Sequence, residues 1–319
     1  MKRVIIDTDP GVDDALALML AINSSELDIL AITTVMGNSS IENTTRNAKW
    51  VLDKLGNNKI PIYSGSDISL NGKFSKSFVM GESGLGGVIL QKRTVLSNNA
   101  VEKILEIIQQ NPGEVSLVAI GPLTNIARAI RKNSQIMEKL KEIIIMGGAI
   151  NVPGNINRVA EFNFFNDPLA AEIVFDFPIK KVIVPLDLCN KVELSSEDFD
   201  KISGELKKPI LQMIGDYISK LEIDETGKRV ALVYDALAVY YLLNPAIYKT
   251  QKMDIKIETN GKLTRGMSVA DLRMTSIKKN NVLVALGIDK KVFVGDFIKI
   301  LSKEIYLNKQ NDIKTKELK

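Results

Sequence analysis

Short apolar runs alternate with helical patterns along most of the chain. The apolar runs, rich in β-branched residues, are RVIID, LDILAITTV, IPIYSG, VSLVAIG, EIIIMGG and KKVIVPLD. Between most of them lie segments with apolar residues at helical spacing, namely DDALALMLAIN, IENTTRNAKWVLDKLG, NAVEKILEIIQQN and DPLAAEIVFDF. Strands that alternate with helices indicate βαβ units. The pattern therefore predicts an α/β protein with a Rossmann-like open, mostly parallel sheet covered by helices on both faces.

The same pattern predicts one domain over residues 1–319. No linker rich in proline, glycine or serine divides the chain, and no internal repeat is visible. The stretch from about 188 to 233 is more helical and more polar than its surroundings. We interpret it as a cap-like insertion over the ligand site.

Composition narrows the class of protein. The chain has 319 residues, 45% of them apolar and 25% charged, with a net charge of +4, too mild and too evenly spread to indicate nucleic acid. Cys189 is the only cysteine, so an intrachain disulfide is impossible and nothing indicates an oxidising compartment. The first residues lack the apolar core of a signal peptide, and no apolar run reaches the roughly 20 residues of a membrane helix. We therefore predict a cytoplasmic location.

Four aspartates stand in eight positions where the first predicted strand ends, in the segment DTDPGVDD. They are Asp7, Asp9, Asp13 and Asp14. Capping of the following helix explains one or two of them. Four like charges repel one another unless protons or a cation neutralise them, and all-oxygen ligands favour Ca²⁺ or Mg²⁺. Because the chain contains no histidine, any ligand, acid or base must be another residue type.

Further polar residues follow later predicted strands. These positions are Asn38, Asn155, Glu161, Asn163 and Asp235, together with Ile120 before a Gly-Pro turn. Each polar residue alone is an ordinary turn or capping residue. Ligands of open parallel sheets bind outside the carboxyl ends of the strands, so the joint pattern predicts a site there.

Nine sequence blocks carry a family resemblance. They are DTDPGVDD, TTVMGN, GESGLGG, GPLTNIA, MGGA, GN with AEFNFFNDPLAA, PLDL, YDALAVYYL and GMSVAD, in this order from residue 3 to about 300. The chain resembles the inosine-uridine nucleoside N-ribohydrolase family. This resemblance implies hydrolysis of the N-glycosidic bond of ribonucleosides to ribose and free base, Ca²⁺ as cofactor, and a homodimer or homotetramer.

The resemblance also implies roles for individual residues. Asp9, Asp14, Asp235 and the backbone carbonyl of Ile120 match Ca²⁺ ligands, and Asp9 also matches the general base. The substrate positions that it implies are Asp13, Asn38, Met80, Met146, Asn155, Glu161 and Asn163, of which Asp13, Asn155, Glu161 and Asn163 match ribose ligands.

Two departures concern the leaving base. Better-known members have histidines where this chain has Met80 and Tyr234. Tyrosine is a weak acid at neutral pH, with an unperturbed pKa of about 10, and methionine can only pack. A hydrogen bond from Tyr234 to the base is one interpretation, and packing with Tyr240 or Tyr241 is the other. A purine, which can be protonated on its own ring nitrogens, is slightly favoured over a pyrimidine.

Two other functional classes remain open. One is a catalytically weak or inactive homologue that binds nucleoside or ribose. The other is a Mg²⁺ phosphohydrolase of the haloacid-dehalogenase type, which also has an Asp-x-Asp after its first strand. DTDPGVDD lacks the threonine expected shortly after the second aspartate of that class, and Asn155, Glu161 and Asn163 would have no role in it.

Overall fold

The main sheet has eight strands. The computed structural model describes residues 1–72, 80–81, 83–88, 90, 97–220, 230–273 and 281–303. Its strands are β1 (Lys2–Thr8), β2 (Leu27–Thr34), β3 (Ile62–Ser64), β4 (Val115–Ala119), β5 (Glu142–Met146), β6 (Lys181–Val184), β7 (Glu193–Ser195), β8 (Val230–Leu232), β9 (Tyr248–Met253), β10 (Ile255–Ile257), β11 (Ser268–Ala270) and β12 (Val282–Ile288). The order in the main sheet is β3-β2-β1-β4-β5-β6-β12-β9. Only the pair of β12 with β9 is antiparallel there, which confirms the predicted mostly parallel sheet.

Helices cover both faces of this sheet. They are α1 (Val12–Asn23), α2 (Ile41–Lys54), α3 (Ala100–Gln110), α4 (Thr124–Lys132), α5 (Ser134–Met137), α6 (Phe162–Asn166), α7 (Pro168–Asp176), α8 (Leu186–Cys189), α9 (Ser196–Asp200), α10 (Lys207–Lys220), α11 (Tyr234–Leu243) and α12 (Lys290–Leu301). Successive side chains of a strand point to opposite faces. Accordingly Val4 and Ile6 belong to one apolar core and Ile5 to the other. The two cores confirm that the sheet is buried on both sides.

The apolar pattern located the elements that build the site. All six predicted runs contain strands, β1 to β6, and the four helical patterns correspond to α1, α2, α3 and α7. The end of KKVIVPLD differs, because residues 186–187 begin the short helix α8. The pattern did not identify β9 or β12. Four consecutive residues of β9 are exposed, so this edge strand carries little apolar signal.

The cap-like stretch is mixed in structure. Its described part contains α9, α10 and the antiparallel pair of β7 with β8, while residues 221–229 lie outside the described residues. Helix α10 packs against α1, which carries two of the predicted site aspartates. The assignments of a single domain and of a cap stay predictions. Among the helices that the structure describes, none combines the length and the apolar character that a bilayer span requires.

Asp167 joins three segments behind the site. It is buried and forms the N-cap of α7, where its Oδ1 accepts a hydrogen bond from the Ala170 N–H at 3.1 Å. Its Oδ2 accepts from the Thr124 hydroxyl at 2.7 Å and from the Leu70 N–H at 2.8 Å. One carboxylate thus holds α7, the start of α4 and the loop after β3 together.

We expect Asp167→Ala to lower the free energy of unfolding by about 2–4 kcal/mol, because it removes a helix cap and leaves buried donors unpaired. Urea unfolding followed by circular dichroism measures the change. The matched control is Asp176→Ala at the other end of α7, where an exposed carboxylate pairs with Lys256. Exposed pairs contribute about 0–1 kcal/mol, so equal losses in the two variants would contradict this role of Asp167.

Candidate active site

The predicted site residues lie at one edge of the sheet. Strands β1, β2, β4 and β5 run parallel, and the loops that leave their carboxyl ends meet at this edge. Asp9 follows β1, Asn38 follows β2, Ile120 follows β4, and Glu161 ends the loop after β5. The topology therefore brings together residues that are more than 150 positions apart in the sequence.

Three carboxylates form the centre of this edge. Asp13, Asp14 and Asp235 each offer an oxygen atom within 4.8 Å of the others, and all three side chains are buried. Asp13 and Asp14 stand in the first turn of α1, and Asp235 stands in the first turn of α11, which packs against α1. The amino-terminal ends of both helices favour negative charge at this place.

Asp14 is held by the segment that precedes α1. Its Oδ1 accepts hydrogen bonds from the Thr8 hydroxyl at 2.5 Å and from the Asp9 N–H at 3.2 Å. Its Oδ2 accepts from the Gly11 N–H at 2.9 Å and from Asn38 Nδ2 at 3.0 Å. Helix capping and a place in the acidic group are therefore both properties of Asp14, not alternatives.

Asp9 has one satisfied oxygen and one free oxygen. Its Oδ2 accepts from the Asn38 N–H at 2.6 Å, whereas its buried Oδ1 has no hydrogen-bond partner within the described part of the chain. Two glycines leave room for this carboxylate. A Cβ atom at Gly37 would overlap Asp9 Oδ2, and one at Gly121 would lie 2.6 Å from Asp9 Oδ1. The backbone approaches so closely that the carboxylate has one orientation.

Burial and mutual repulsion disfavour ionisation of these acids. Burial, and next the charge of Asp14, raise the pKa of Asp13 to about 8. Burial followed by the charges of neighbouring aspartates also raises the pKa of Asp9 and of Asp235, and burial raises the pKa of Asp14. Like charges in a buried place need protons or a cation.

The donor set fits a hard cation. The oxygens Asp9 Oδ1 and Asp13 Oδ1 are buried and unpartnered, as far as the described residues extend. None of the ion pairs found among those residues supplies a lysine or arginine to the four acids. Carboxylates and carbonyls without nitrogen or sulfur donors are the ligands of Ca²⁺ and Mg²⁺. The acidic group is thus one that can bind a metal ion.

Asp7 is separate from this group. Its Oδ1 accepts from the Thr33 hydroxyl at 2.5 Å and from Asn125 Nδ2 at 2.8 Å. Burial, opposed by these two hydrogen bonds, raises the pKa of Asp7 to about 7. This carboxylate connects β1 with β2 and α4, so three of the four clustered aspartates of the sequence face the site together, and Asp7 supports the sheet.

Glu161 and Asn163 form the wall beside the carbonyl of Ile120. Glu161 caps α6, where its Oε1 accepts from the Asn163 N–H at 2.8 Å and its Oε2 from the Gly148 and Phe164 N–H groups. Burial raises the pKa of Glu161 to about 7. Asn163 donates its Nδ2 to the Ile120 carbonyl at 3.0 Å, and to Met146 more weakly. A carbonyl has two lone pairs, so Ile120 can still bind a second partner.

Two predicted substrate residues lie outside this buried wall. Asn155 is exposed in the loop between β5 and α6, where its Oδ1 accepts from the Phe162 N–H at 2.9 Å. Met80 is buried in an apolar core, and its carbonyl accepts from the Gly86 N–H. Three residues after Met80, the Ser83 carbonyl accepts from Asn47 Nδ2 at 2.7 Å, and Asn47 also donates to the Pro10 carbonyl at 2.8 Å.

Tyr234 opens α11 directly before Asp235. It is partly buried, and its hydroxyl donates to Asn190 Oδ1 at 3.3 Å. Burial, followed by the charges of Cys189 and Asp13, raises the pKa of Tyr234. The alternative partners of this ring are engaged elsewhere among the described residues, because Tyr240 pairs with Phe293 and Tyr241 with Tyr248.

Several residues at the site were not predicted from the sequence. They are Thr8, Gly37, Gly121, Asp187, Asn190 and Tyr217. Tyr217 of α10 is 4% exposed, and the charges of Asp13 and Asp235 contribute to raising its pKa after burial. Four of them had a usable signal, because the blocks DTDPGVDD, TTVMGN, GPLTNIA and PLDL contain Thr8, Gly37, Gly121 and Asp187. Asn190 and Tyr217 depend on contacts between distant segments.

Comparisons with known proteins place the chain in a family. The family model described as inosine-uridine preferring nucleoside hydrolase matches residues 4–295. The inosine-uridine preferring nucleoside hydrolase of Crithidia fasciculata is 37% identical, covering 92% of this chain and 95% of that protein. The pyrimidine-specific ribonucleoside hydrolase RihA of Citrobacter koseri is 36% identical, covering 91% and 95%. A solved purine-preferring ribonucleoside hydrolase from Gardnerella vaginalis superposes with a TM-score of 0.86 at 28% identity, covering 94% and 98%.

These matches exclude the phosphohydrolase alternative, because a single family model spans nearly the whole chain and includes all of the acids described above. The chain belongs to the inosine-uridine preferring nucleoside hydrolase family, whose members are enzymes that hydrolyse the N-glycosidic bonds of nucleosides.

Proposed function

We propose that this protein is a Ca²⁺-dependent ribonucleoside hydrolase that releases ribose and a free base, with purines favoured. The observation that carries the proposal is the buried group of Asp13, Asp14 and Asp235 beside an unpaired Asp9 oxygen. The named relatives include one purine-preferring and one pyrimidine-specific hydrolase, so the base preference is argued from this chain's own residues.

Four oxygen donors would hold the metal ion. They are the carboxylates of Asp9, Asp14 and Asp235 and the carbonyl of Ile120. A bound Ca²⁺ supplies positive charge that lowers the pKa of a water molecule and orients sugar hydroxyls. Asp13 lies in the same acidic group, and Glu161 and Asn163 lie beside Ile120. These three residues and Asn155 are proposed to bind the ribose hydroxyls, and Asn38 and Met146 to line that part of the pocket.

Asp9 is proposed to accept the proton of the attacking water. The Asn38 N–H already occupies Oδ2, so Oδ1 is the oxygen that remains for this task. Gly37 and Gly121 fix its direction by their close approach. Holding a base and its reactant in one geometry removes part of the entropic barrier of a bimolecular step.

The carboxylate of Glu161 is also placed to stabilise the sugar during bond cleavage. Breaking an N-glycosidic bond develops positive charge on the ribose ring. Glu161 is buried, and the electrostatic interactions of buried groups are stronger than those in water. Preorganised negative charge near a developing cation lowers the barrier. The arrangement therefore favours the transition state over the neutral nucleoside.

This chain offers little general acid catalysis for departure of the base. Histidine is absent, and burial raises the pKa of Tyr234 further above its ordinary value. A purine can take up a proton on its own ring nitrogens, which is why purines are favoured here. The alternative class, an inactive nucleoside- or ribose-binding homologue, would keep the acids and lack turnover.

A reducing-sugar assay separates these possibilities. Inosine, guanosine and adenosine are compared with uridine and cytidine, each with Ca²⁺ and after removal of Ca²⁺ by a chelator. We expect turnover that requires Ca²⁺ and is faster for purines. Binding of ribose without turnover of any nucleoside would support the inactive homologue instead. Faster turnover of uridine and cytidine would contradict the purine preference alone.

We expect Asp235→Asn to weaken Ca²⁺ binding on the order of 100-fold, because a charged ligand of the group is lost. Without Ca²⁺ the variant should be as stable as the wild type or more stable, since one of several mutually repelling charges is removed. Isothermal titration and thermal unfolding with and without Ca²⁺ measure the two effects. Asp198→Asn, in the first turn of α9 and outside the acidic group, is the control for Ca²⁺ binding. Wild-type affinity in Asp235→Asn would refute the metal assignment.

We expect Gly37→Ala to lower kcat by about 100-fold, because the new Cβ displaces Asp9 and misplacement of a reacting group by about 1 Å has a cost of this size. The control is Gly295→Ala in α12, where a Cβ meets no atom within 4 Å. That variant should keep full activity and gain up to about 1 kcal/mol of stability from helix propensity. Full activity in Gly37→Ala would show that the orientation of Asp9 is unimportant.

We expect Tyr234→Phe to lower kcat for nucleosides by about 10-fold to 100-fold and to leave p-nitrophenyl riboside hydrolysis unchanged. The physical reason is that the 3.3 Å bond from Tyr234 to Asn190 is long for a hydroxyl donor, so an arriving base can replace it. Asn190→Ala should then keep or raise kcat. Equal losses on both substrates in Tyr234→Phe would assign Tyr234 to the sugar or to packing.

A further inference from the structure

The turn after β5 is attached to a buried carboxylate that no part of the mechanism uses. The Ile150 N–H donates to Asp187 Oδ2 at 2.9 Å, and the Asn151 N–H donates to Asp187 Oδ1 at 2.8 Å. Asp187 is 3% exposed. Hydrogen bonds from backbone N–H groups to an ionised carboxylate are about twice as strong as neutral ones. Asp187 thus grips two consecutive residues of the turn.

The Asp187 side chain binds the turn after β5 and does not cap its own helix. Asp187 lies in α8, and α8 shows no side-chain cap at its N-terminus. The neighbouring Leu186 N–H donates to the Gly148 carbonyl at 2.9 Å. Residues 186 and 187 therefore both bind the turn at 148–151. Burial of a carboxylate costs free energy unless the carboxylate is hydrogen-bonded. The two hydrogen-bond donors found for Asp187 among the described residues are both in that turn.

The turn connects the residues proposed to bind the sugar. On one side the Gly148 N–H donates to Glu161 Oε2 at 3.1 Å. On the other side the chain continues into the exposed loop that carries Asn155. At its far end this loop is fastened by Asn155 itself, which accepts from the Phe162 N–H, and its near end is fastened by Asp187. Asp187 thus fixes the end of the loop that lies next to β5.

We propose that Asp187 is a positioning residue for sugar binding, which holds the turn 148–151 so that Glu161 and the loop bearing Asn155 face the ribose together. The proposal rests on the proposed function of the site. Asp187 itself contacts neither the proposed metal ligands nor Asn155 in any hydrogen bond found among the described residues. Its effect on the substrate is therefore expected through the turn alone.

The test uses Asp187→Asn in the full chain. Asparagine keeps the shape but sets an NH₂ group against a backbone N–H, so one of the two hydrogen bonds is lost. We expect KM to rise by about tenfold with kcat within about threefold of wild type. Glu161 keeps its hydrogen bonds from the Asn163 and Phe164 N–H groups, so the contacts that weaken are ribose contacts made alike in the ground state and the transition state. Amide exchange should accelerate at residues 150 and 151. The control Asp198→Asn, whose carboxylate accepts from the Ser195 N–H, should change neither.

Further measurements distinguish failure of the positioning role from failure of the proposed activity. Asp187→Glu retains the charge, and we expect a KM between those of wild type and Asp187→Asn, which also provides a variant if Asp187→Asn folds poorly. An unchanged KM in Asp187→Asn with faster exchange at residues 150 and 151 would overturn the proposal. A wild type that binds ribose without hydrolysis would refute the proposed activity only, and weaker ribose binding by Asp187→Asn would then still support positioning. A wild type that does neither would overturn both.

Discussion

The repulsion among buried carboxylates is the constraint on which the rest of the structure depends. Asp13, Asp14 and Asp235 each place an oxygen atom within 4.8 Å of the others, and all three side chains are buried. Such a group is unfavourable in a folded protein unless donors and a cation compensate it. The fold supplies what it can from its own backbone, through two helix N-termini and the N–H groups of residues 9, 11 and 38. Within the described part of the chain, Asp9 Oδ1 and Asp13 Oδ1 of this group have no hydrogen-bond partner, and they are oxygens that a metal ion or a substrate can use.

Rigid support follows from the same constraint. A buried carboxylate keeps one orientation only if the backbone around it is rigid. The strand ends of a sheet that is buried on both faces provide such a backbone. Gly37 and Gly121 bring two strand-end turns into contact with Asp9. Asp7, Thr33 and Asn125 tie β1 to its neighbours just below. The turn after β5 is supported alike, with Glu161 and Asp187 each accepting backbone N–H groups of it. Acidic side chains thus serve both as proposed ligands and as supports for the segments that carry them.

The fold was largely predictable, and the sequence indicated most of the acidic residues that the structure brings together. Continuous apolar runs mark strands that are buried on both faces, which is why β1 to β6 were found and the exposed edge strand β9 was not. The sequence of DTDPGVDD indicated an acidic site, but it did not distinguish Asp7 from the other three aspartates. The hydrogen-bond partners of Asp7 make that distinction, and they are 26 and 118 residues away from it. Contacts over such separations leave no local pattern, so Gly37, Asn190 and Asp187 could not be assigned from spacing.

The absence of histidine at positions 80 and 234 affects how the leaving base can be assisted. At one of them Met80 is buried in the apolar core, where it cannot donate a proton. At the other, Tyr234 has only one proton, and in this structure it is shared with Asn190. Burial, followed by the surrounding negative charge, raises the pKa of Tyr234, so its hydroxyl is a hydrogen-bond donor and not an acid. The proposed metal and ribose ligands include neither position. Under the proposed function, catalysis therefore depends more on stabilising the sugar cation than on activating the base, which favours bases that leave well by themselves.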